Sequence, residues 1–194
     1  MSVAAIILAA GGSSRLGQPK QLLVYRGETL LNRAIRLACE AGASPAIAVL
    51  GAKYDTVRAS LQDRTSIPVH NDRWRQGIAS SIYEGVRALA LCAPDAAGVL
   101  LMSCDQPRLT AEHLHMLFAA FTAAEANAIV TSTYAGVHGV PAVFPRATFA
   151  ELRALRGDKG ARSIIERSDF SVIDVEFAGG EVDIDSPSDL AKLA

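Results

Sequence analysis

Short apolar runs, separated by segments with helical periodicity, dominate the first two-thirds of this 194-residue chain. Within each run the residues are apolar without alternation, which indicates strands buried on both faces, as in a parallel sheet. The runs cover residues 3–9, 45–50, 98–102 and 128–133. Because strands and helices alternate, the sequence predicts an α/β fold of three layers, with a Rossmann-like, mostly parallel sheet and helices on both faces.

Helical periodicity and capping residues define the remaining elements. Thr29 and Thr110 are expected to cap two of the predicted helices, and Gly42 to end the first of them. The last third is less regular, and we expect it to complete the sheet with an antiparallel or edge strand. The length fits one domain, so residues 1–194 are expected to form a single domain. Helices are predicted at residues 30–41, 55–61, 78–91, 110–124, 146–155, 161–166 and 186–193, and further strands at 67–70, 140–144 and 170–175.

The charge balance excludes large surfaces for binding polyanions. With 19 Lys and Arg against 20 Asp and Glu, the net charge is −1, so we expect neither nucleic acid nor an anionic membrane as a partner. Cys39, Cys92 and Cys104 form neither a disulfide framework nor a C-x-x-C pair that would indicate zinc. The first residues lack the basic segment of a signal peptide, and no apolar run is long enough to span a bilayer. We therefore expect a cytoplasmic protein.

A glycine-rich loop follows the first predicted strand, and such loops bind phosphate groups because glycine lets backbone N–H groups approach an anion. Neither familiar version fits: Gln18-Pro19 stands where a P-loop needs Lys-Ser/Thr, and Gly11-Gly12 does not supply G-x-G-x-x-G. What remains is a Gly-Gly turn with two cations, Arg15 and Lys20, which suit the charge of a triphosphate. The alternative is an ordinary strand-to-helix connection with two solvated basic residues.

Acidic residues stand at two positions that could hold a metal ion. Asp105 follows the predicted strand at 98–102, at the sheet edge where α/β proteins bind ligands, and can either hold Mg²⁺ or cap the next helix. Asp183 and Asp185 would share one face of a strand, where two carboxylates repel each other unless a cation lies between them. Alternatively, Asp185 or Ser186 caps the terminal helix.

Three further features have both a functional and a structural interpretation. The N-terminus of the predicted helix at 78–91 offers free N–H groups, which suit a base carbonyl or a phosphate unless Ser80 caps the helix. The charged glycine turn at residues 157–160 either binds a phosphate or is an exposed loop. Trp74 is expected to be a packing residue, and His138 is either functional or structural.

The segment from Leu8 to Leu23, LAAGGSSRLGQPKQLL, closely resembles the signature loop of the MobA-like nucleotidyltransferases, which reads approximately L-A-[AG]-G-x-S-x-R-[ML]-G-x-x-K-x-L. Further segments resemble other elements of that family in the same order. They are residues 71–82, 104–107, 136–141 with 157–162, and 183–190. The resemblance covers nearly the whole chain and implies a nucleotidyltransferase domain with a glycosyltransferase-A-like fold.

The resemblance also implies roles for individual residues. Catalysis is implied for Arg15, Lys20 and Asp105. A Mg²⁺ site is implied for Asp105, Asp183 and Asp185. The residues implied to bind the nucleotide are Leu8, Ala9, Ala10, Gly11, Gly12, Arg15 and Lys20 in the loop that wraps the triphosphate, with Ala10 near the base and Gly77 and Ser81 also beside the base. The residues implied to contact the acceptor are His138, Gly139 and Arg162.

Position 10 bears on the choice of base. Members of the family that transfer GMP usually have Gly there and members that transfer CMP usually have Ala, so Ala10 favours CTP. The resemblance thus implies a Mg²⁺-dependent enzyme that joins CMP from CTP to the pterin-phosphate acceptor molybdopterin and releases pyrophosphate. A molybdenum enzyme or a maturation protein is an implied partner. Two alternatives stay open: transfer to a sugar or alcohol phosphate, and a non-catalytic nucleotide-binding maturation factor for a molybdenum enzyme.

Overall fold

A seven-stranded sheet forms the centre of the fold. The computed structural model describes residues 1–62, 66–167 and 169–193. The strands, in chain order, are β1 (Val3–Ala9), β2 (Val24–Tyr25), β3 (Glu28–Thr29), β4 (Ala46–Leu50), β5 (Ile67–His70), β6 (Gly98–Ser103), β7 (Ala128–Tyr134), β8 (Val137–Pro145) and β9 (Ser171–Glu176). β2 and β3 pair as a separate hairpin, and the other seven strands lie in the order β5-β4-β1-β6-β8-β7-β9.

The sheet is mostly parallel. β8 runs antiparallel to β6 and β7, and the other neighbouring pairs are parallel. The predicted Rossmann-like sheet is therefore confirmed, and so is the antiparallel element expected in the last third of the chain. Every residue of β4 is buried, as its continuously apolar sequence predicts for a strand covered on both faces.

Helices connect the strands and begin at the predicted caps. The α-helices are α1 (Leu30–Glu40), α2 (Tyr54–Ala59), α3 (Ile78–Cys92), α4 (Ala111–Ala123), α5 (Phe149–Ala154) and α6 (Arg162–Ile165). Short 3₁₀ helices cover Lys20–Leu22, Trp74–Gln76, Arg146–Thr148 and Pro187–Leu193. The Thr29 side chain accepts the N–H of Asn32 at 3.2 Å, and the Thr110 side chain accepts that of His113 at 3.2 Å. Both predicted N-caps are thus confirmed.

Alternate residues of the central strands face opposite helical layers. Ile7 of β1 packs in the same apolar cluster as Leu117 of α4, together with residues of α1. Ile6 packs on the other side with Ile82 of α3, together with residues of α5 and α6. The three predicted layers are therefore present. Among the helices of the described residues, none has both the length and the apolar composition needed to cross a bilayer.

A third, smaller apolar cluster joins two distant parts of the chain. Leu16, Leu30 and Ile184 are each at most 7% exposed and pack together. Ile184 also donates its N–H to the backbone carbonyl of Asp105 at 3.1 Å. The prediction that residues 183–185 belong to a strand is wrong, because the burial of Ile184, not strand pairing, fixes this segment.

His113 is a buried histidine whose protonation opposes folding. It is 4% exposed, its Nε2 lies 2.7 Å from Ser132 Oγ, and its ring stacks on Phe177. Burial lowers its pKa from 6.5 to about 4. Between these two values the unfolded chain binds a proton more readily than the folded protein does. Stability is therefore lost as the pH falls through this window, by at most about 3 kcal/mol, whereas above the upper value His113 is neutral in both states.

We expect His113→Gln to reduce the drop in Tm that wild type shows between about pH 7 and about pH 4.5. His115, which is exposed on the same helix, provides the matched control variant His115→Gln. Thermal melts of the three proteins across this range measure the effect. Equal acid-induced losses of Tm in wild type and His113→Gln would contradict the prediction.

Candidate active site

The candidate active site lies at the carboxyl ends of β1 and β6. These strands are parallel neighbours, with Leu8 paired with Ser103, so the chain leaves both strands at the same edge of the sheet. β1 leads into residues 10–19, which we call the glycine loop, and β6 leads to Asp105. This is the edge at which α/β sheets bind ligands.

Two polar side chains hold the glycine loop in its curled shape. Gln21, which is 1% exposed, donates from Nε2 to the carbonyl oxygens of Ala9 at 2.7 Å and Gly11 at 2.9 Å. Ser13 has a positive φ of 49°, and its Oγ accepts the backbone N–H of Lys20 at 3.1 Å. The loop therefore folds back on itself and leaves its first two glycines exposed, as a phosphate-binding loop requires.

The residues that precede these glycines lie deeper in the protein. Leu8 is half-buried, and Ala9 and Ala10 are buried. The carbonyl of Ala10 accepts the N–H of Ala52 at 2.9 Å, which ties the loop to the residues that follow β4. Ala9 and Ala10 are thus held below the surface next to the exposed glycines, and their contact with a nucleotide stays a prediction.

Lys20 lies between two carboxylates at the centre of the site. Its Nζ donates to Asp105 Oδ2 at 2.5 Å and to Asp185 Oδ1 at 2.8 Å. Arg15 donates from Nη2 to the other carboxylate oxygen of Asp185, Oδ2, at 3.0 Å. Asp105 is not the cap of α4, because Thr110 accepts the N–H of His113 there. Asp189 accepts the N–H of Ser186 at 2.8 Å, at the start of the terminal 3₁₀ helix.

The ion pairs fix the charge state of Lys20 and Asp185. Burial alone would lower the pKa of Lys20, but the charge of Asp105 and hydrogen bonds to Asp105 and Asp185 outweigh it and raise this pKa well above 10.5. The hydrogen bond from Lys20 lowers the pKa of Asp185 below 3.8 against the effect of partial burial. Near neutral pH Lys20 is therefore a charged ammonium beside the ionised carboxylate of Asp185.

Asp183 stands apart from this network. Its side chain is exposed, and Lys192 donates to its backbone carbonyl at 3.2 Å. Partial loss of hydration and the charges of Asp185 and Asp105 raise the pKa of Asp183 above 3.8. Within the described residues, no group of three or more His, Cys, Asp or Glu side chains is arranged to hold a metal ion. Two of the three predicted ligands, Asp105 and Asp185, thus converge on one position, and their hard oxygens suit Mg²⁺ together with phosphate oxygens.

Trp74, predicted to be a packing residue, packs against the glycine loop itself. A Cβ added to Gly12 would come within 2.9 Å of Trp74 Cη2, so a side chain at position 12 has little room. The guanidinium of Arg75 stacks over the Trp74 ring, 4.4 Å from its centroid. Trp74 therefore forms a wall beside the exposed glycines. The family's N-x-x-W stretch is the sequence signal that could have indicated this position.

Gly77 and Ser81 lie at the start of α3 and are engaged within the protein. Gly77 has a φ of +101° and packs so closely on the carbonyl of Gly157 that a side chain would clash. Ser81 is 5% exposed and its Oγ accepts from Asn71 Nδ2 at 2.9 Å. Their contact with a base stays a prediction, and the structure gives both a role in joining α3 to neighbouring segments.

The residues predicted to contact the acceptor make contacts of their own. His138 on β8 pairs with Asp174 on β9, with 3.1 Å between Nε2 and Oδ1. Arg162 is exposed and donates from Nε to Glu166 at 2.7 Å, one helical turn further along. Both side chains are accessible enough to exchange these partners for a ligand.

Tyr134 connects the predicted acceptor residues with Asp105, and sequence patterns gave no signal for it. Gly139 packs so closely against the Tyr134 hydroxyl that a side chain at position 139 would clash. Burial and the charge of Asp105 raise the pKa of Tyr134 above 10.0, whereas Gln106 and Arg162 act in the opposite direction. Tyr134 therefore packs against the predicted acceptor residue Gly139, and Asp105 acts on its phenol through charge.

A glycine loop, two cations and two carboxylates thus meet at the carboxyl edge of a mostly parallel sheet. Fold and site together define an α/β protein suited to a nucleoside triphosphate and a metal ion. Residues 5–172 match the family of the MobA-like NTP transferase domain. The chain belongs to this family of nucleotidyltransferases, which confirms the resemblance seen in its sequence.

Two relatives with different names match nearly the whole chain. The purine catabolism protein PucB of Bacillus subtilis is 29% identical over 197 residues, which cover 95% of this chain and 92% of PucB. The molybdenum cofactor cytidylyltransferase of Escherichia coli is 25% identical over 185 residues, which cover 95% of this chain and 91% of the relative. The family is therefore established, whereas the names of these two relatives refer to purine catabolism in one case and to the molybdenum cofactor in the other.

A solved structure shows the same fold. Rv0371c from Mycobacterium tuberculosis H37Rv has a TM-score of 0.83 and 31% identity, covering 100% of this chain and 97% of that chain. A structure of Rv0371c in complex with manganese gives a TM-score of 0.79 at 29% identity, covering 100% of this chain and 98% of that chain. A divalent metal ion is typical of nucleotidyltransferases of this kind.

Proposed function

We propose that this protein transfers CMP from CTP to molybdopterin and releases pyrophosphate. The observation that carries the proposal is the meeting of Lys20 and Arg15 with the Asp105 and Asp185 carboxylates beside the glycine loop. Such a site offers cations to the phosphates and carboxylates to a metal ion. The similarity to the Escherichia coli molybdenum cofactor cytidylyltransferase supports the acceptor and the base.

The proposed reaction needs no covalent enzyme intermediate, because the acceptor phosphate is itself a nucleophile. Its oxygen attacks the α-phosphorus of CTP in line, the bond between the α-phosphorus and the bridging oxygen breaks, and pyrophosphate leaves. Asp105 and Asp185, with Asp183 nearby, would hold Mg²⁺, which neutralises phosphate charge when bound. Lys20 and Arg15 stabilise the charge that builds on the leaving pyrophosphate.

The base preference is tested by ligand-linked stabilisation. We expect CTP with Mg²⁺ to raise the Tm more than GTP, ATP or UTP at the same concentration, since a ligand that binds only the folded state stabilises it according to its affinity. Ala10 supports this expectation: it is 5% exposed, and a Cβ added to Gly51 would lie 2.9 Å from its methyl group. The space between Ala10 and Gly51 is thus already filled by the Ala10 methyl group.

Ala10→Gly provides the matched variant for this measurement. It removes a single methyl group, so we expect it to narrow the difference between CTP and GTP. A Tm shift with GTP equal to or larger than that with CTP in wild type would exclude the assignment of CTP.

The acceptor is tested by measuring pyrophosphate release from CTP with molybdopterin, with a sugar phosphate, with an alcohol phosphate and with no acceptor. Release that depends on molybdopterin supports the proposal. Release only with another phosphate would reassign the acceptor. The remaining candidate is a nucleotide-binding maturation factor without transfer activity, and the name of the purine catabolism protein PucB does not mention nucleotide transfer either. Stabilisation by CTP without release from any acceptor would support that candidate.

A further inference from the structure

Lys20 occupies the position in which a metal ion would have to bind. Its ammonium lies 2.5 Å from Asp105 Oδ2 and 2.8 Å from Asp185 Oδ1, and its side chain is only 19% exposed. Both oxygens are ligands that a divalent cation would use. Because like charges at such short range repel strongly, the ammonium and a divalent cation cannot share this position.

The charges of the cluster are balanced without any ion from solution. Lys20 and Arg15 supply two positive charges, and Asp105 and Asp185 supply two negative charges. With Lys20 and Arg15 in place, a divalent cation entering between these carboxylates would give the four groups and the ion a net positive charge. A triphosphate that draws the two side-chain cations away would leave both carboxylates without these cationic partners.

The Lys20 side chain is built to move while its backbone stays in place. The backbone N–H of Lys20 is held by Ser13 Oγ at 3.1 Å, and the residue begins the 3₁₀ helix Lys20–Leu22. The ammonium is carried by a flexible stem with rotatable bonds, which can reach a new partner without any change in the loop. Lys20 directly follows the glycine loop, and the exposed glycines, Gly11 and Gly12, lie near the other end of that loop.

We propose that Lys20 acts as an internal cation that blocks the metal site until a nucleotide binds, so that metal and nucleotide bind together. The triphosphate takes Lys20 and Arg15 as its partners, and the released Asp105 and Asp185 then bind the metal. Nucleotide binding therefore raises metal affinity, and by thermodynamic reciprocity the metal raises nucleotide affinity by the same factor. This inference rests on the proposed role of Lys20 in triphosphate binding.

The test uses Mn²⁺ as the probe and measures its binding to the full chain by electron paramagnetic resonance or calorimetry. Lys20→Met keeps the length and packing of the stem and removes the charge. We expect wild type to bind Mn²⁺ weakly without nucleotide, and Lys20→Met to bind it at least tenfold more tightly. In wild type, CTP should raise Mn²⁺ affinity by a similar factor. Arg58→Met, which removes an exposed positive charge on α2, should bind Mn²⁺ as wild type does.

A second measurement covers the case in which Lys20→Met is less stable. Mn²⁺ without nucleotide should then raise the Tm of Lys20→Met by more than it raises that of wild type. Equal Mn²⁺ affinity of wild type and Lys20→Met, or equal affinity of wild type with and without CTP, would overturn the inference. If the protein transfers CMP to molybdopterin but neither CTP nor Lys20→Met changes its Mn²⁺ affinity, the inference fails and the proposed function stands. If CTP and Mn²⁺ each strengthen the binding of the other but no CMP is transferred, the proposed function fails and the inference stands.

Discussion

Replacing Asp105 with asparagine is expected to reduce the rate of nucleotidyl transfer on the order of a thousandfold. Asparagine keeps the size of the side chain and removes the negative charge that would hold the metal ion. Because charge stabilisation by a metal acts mainly in the transition state, the loss should appear in kcat. Pyrophosphate release with CTP and the acceptor saturating measures it, and circular dichroism checks the fold.

Asp95→Asn is the matched control for this prediction. Asp95 is exposed and precedes β6, whereas Asp105 follows it, so the two residues lie at opposite ends of one strand. The control should turn over as wild type does. Near-normal turnover of Asp105→Asn would show that this carboxylate serves only to position Lys20.

The second large effect is expected from Lys20→Ala, which should lower kcat on the order of a hundredfold and weaken nucleotide binding by a smaller factor. The Lys20 ammonium is mostly buried beside Asp105, where charge on the leaving pyrophosphate would be met in a site of low dielectric. A contact made mainly in the transition state appears in kcat. Steady-state kinetics with the nucleotide varied separates the two parameters.

Arg15→Ala is the comparison variant for Lys20→Ala. The Arg15 side chain is 73% exposed, and its planar fork can hold two phosphate oxygens at once. We expect its removal to weaken nucleotide binding and rate together, on the order of tenfold each. A raised KM for the nucleotide with unchanged kcat in Lys20→Ala would show that Lys20 does not stabilise the transition state.

The sheet could be predicted from the sequence because both faces of its central strands are buried. A continuous apolar run such as Val3–Ala9 is typical of a parallel strand that is covered on both faces. Thr29 and Thr110 cap helices through hydrogen bonds to N–H groups three residues away, so these caps could be predicted without knowledge of the tertiary structure. The cations of the site were predictable for a similar reason. Arg15 and Lys20 lie in one short segment, residues 8–23, and the family signature is an ordered pattern of residues within that segment.

The partners of that loop could not be predicted from spacing alone. Asp183 and Asp185 follow the strand pattern of alternating residues, but the burial of Ile184 in a small cluster decides which of them reaches Lys20. The contacts of Trp74 with Gly12 and of Tyr134 with Gly139 depend on how segments distant in sequence pack together. Such contacts do not produce a periodic pattern of residue types in the sequence.

The connections of Lys20 have a consequence for the order of events during synthesis. Its two carboxylate partners stand 85 and 165 residues further along the chain. A nascent chain therefore carries the glycine loop long before either partner has left the ribosome, and contacts of such long range form slowly. The cluster is completed only when Asp185 reaches Lys20 and Arg15, so the ion pairs of the proposed site form late in synthesis.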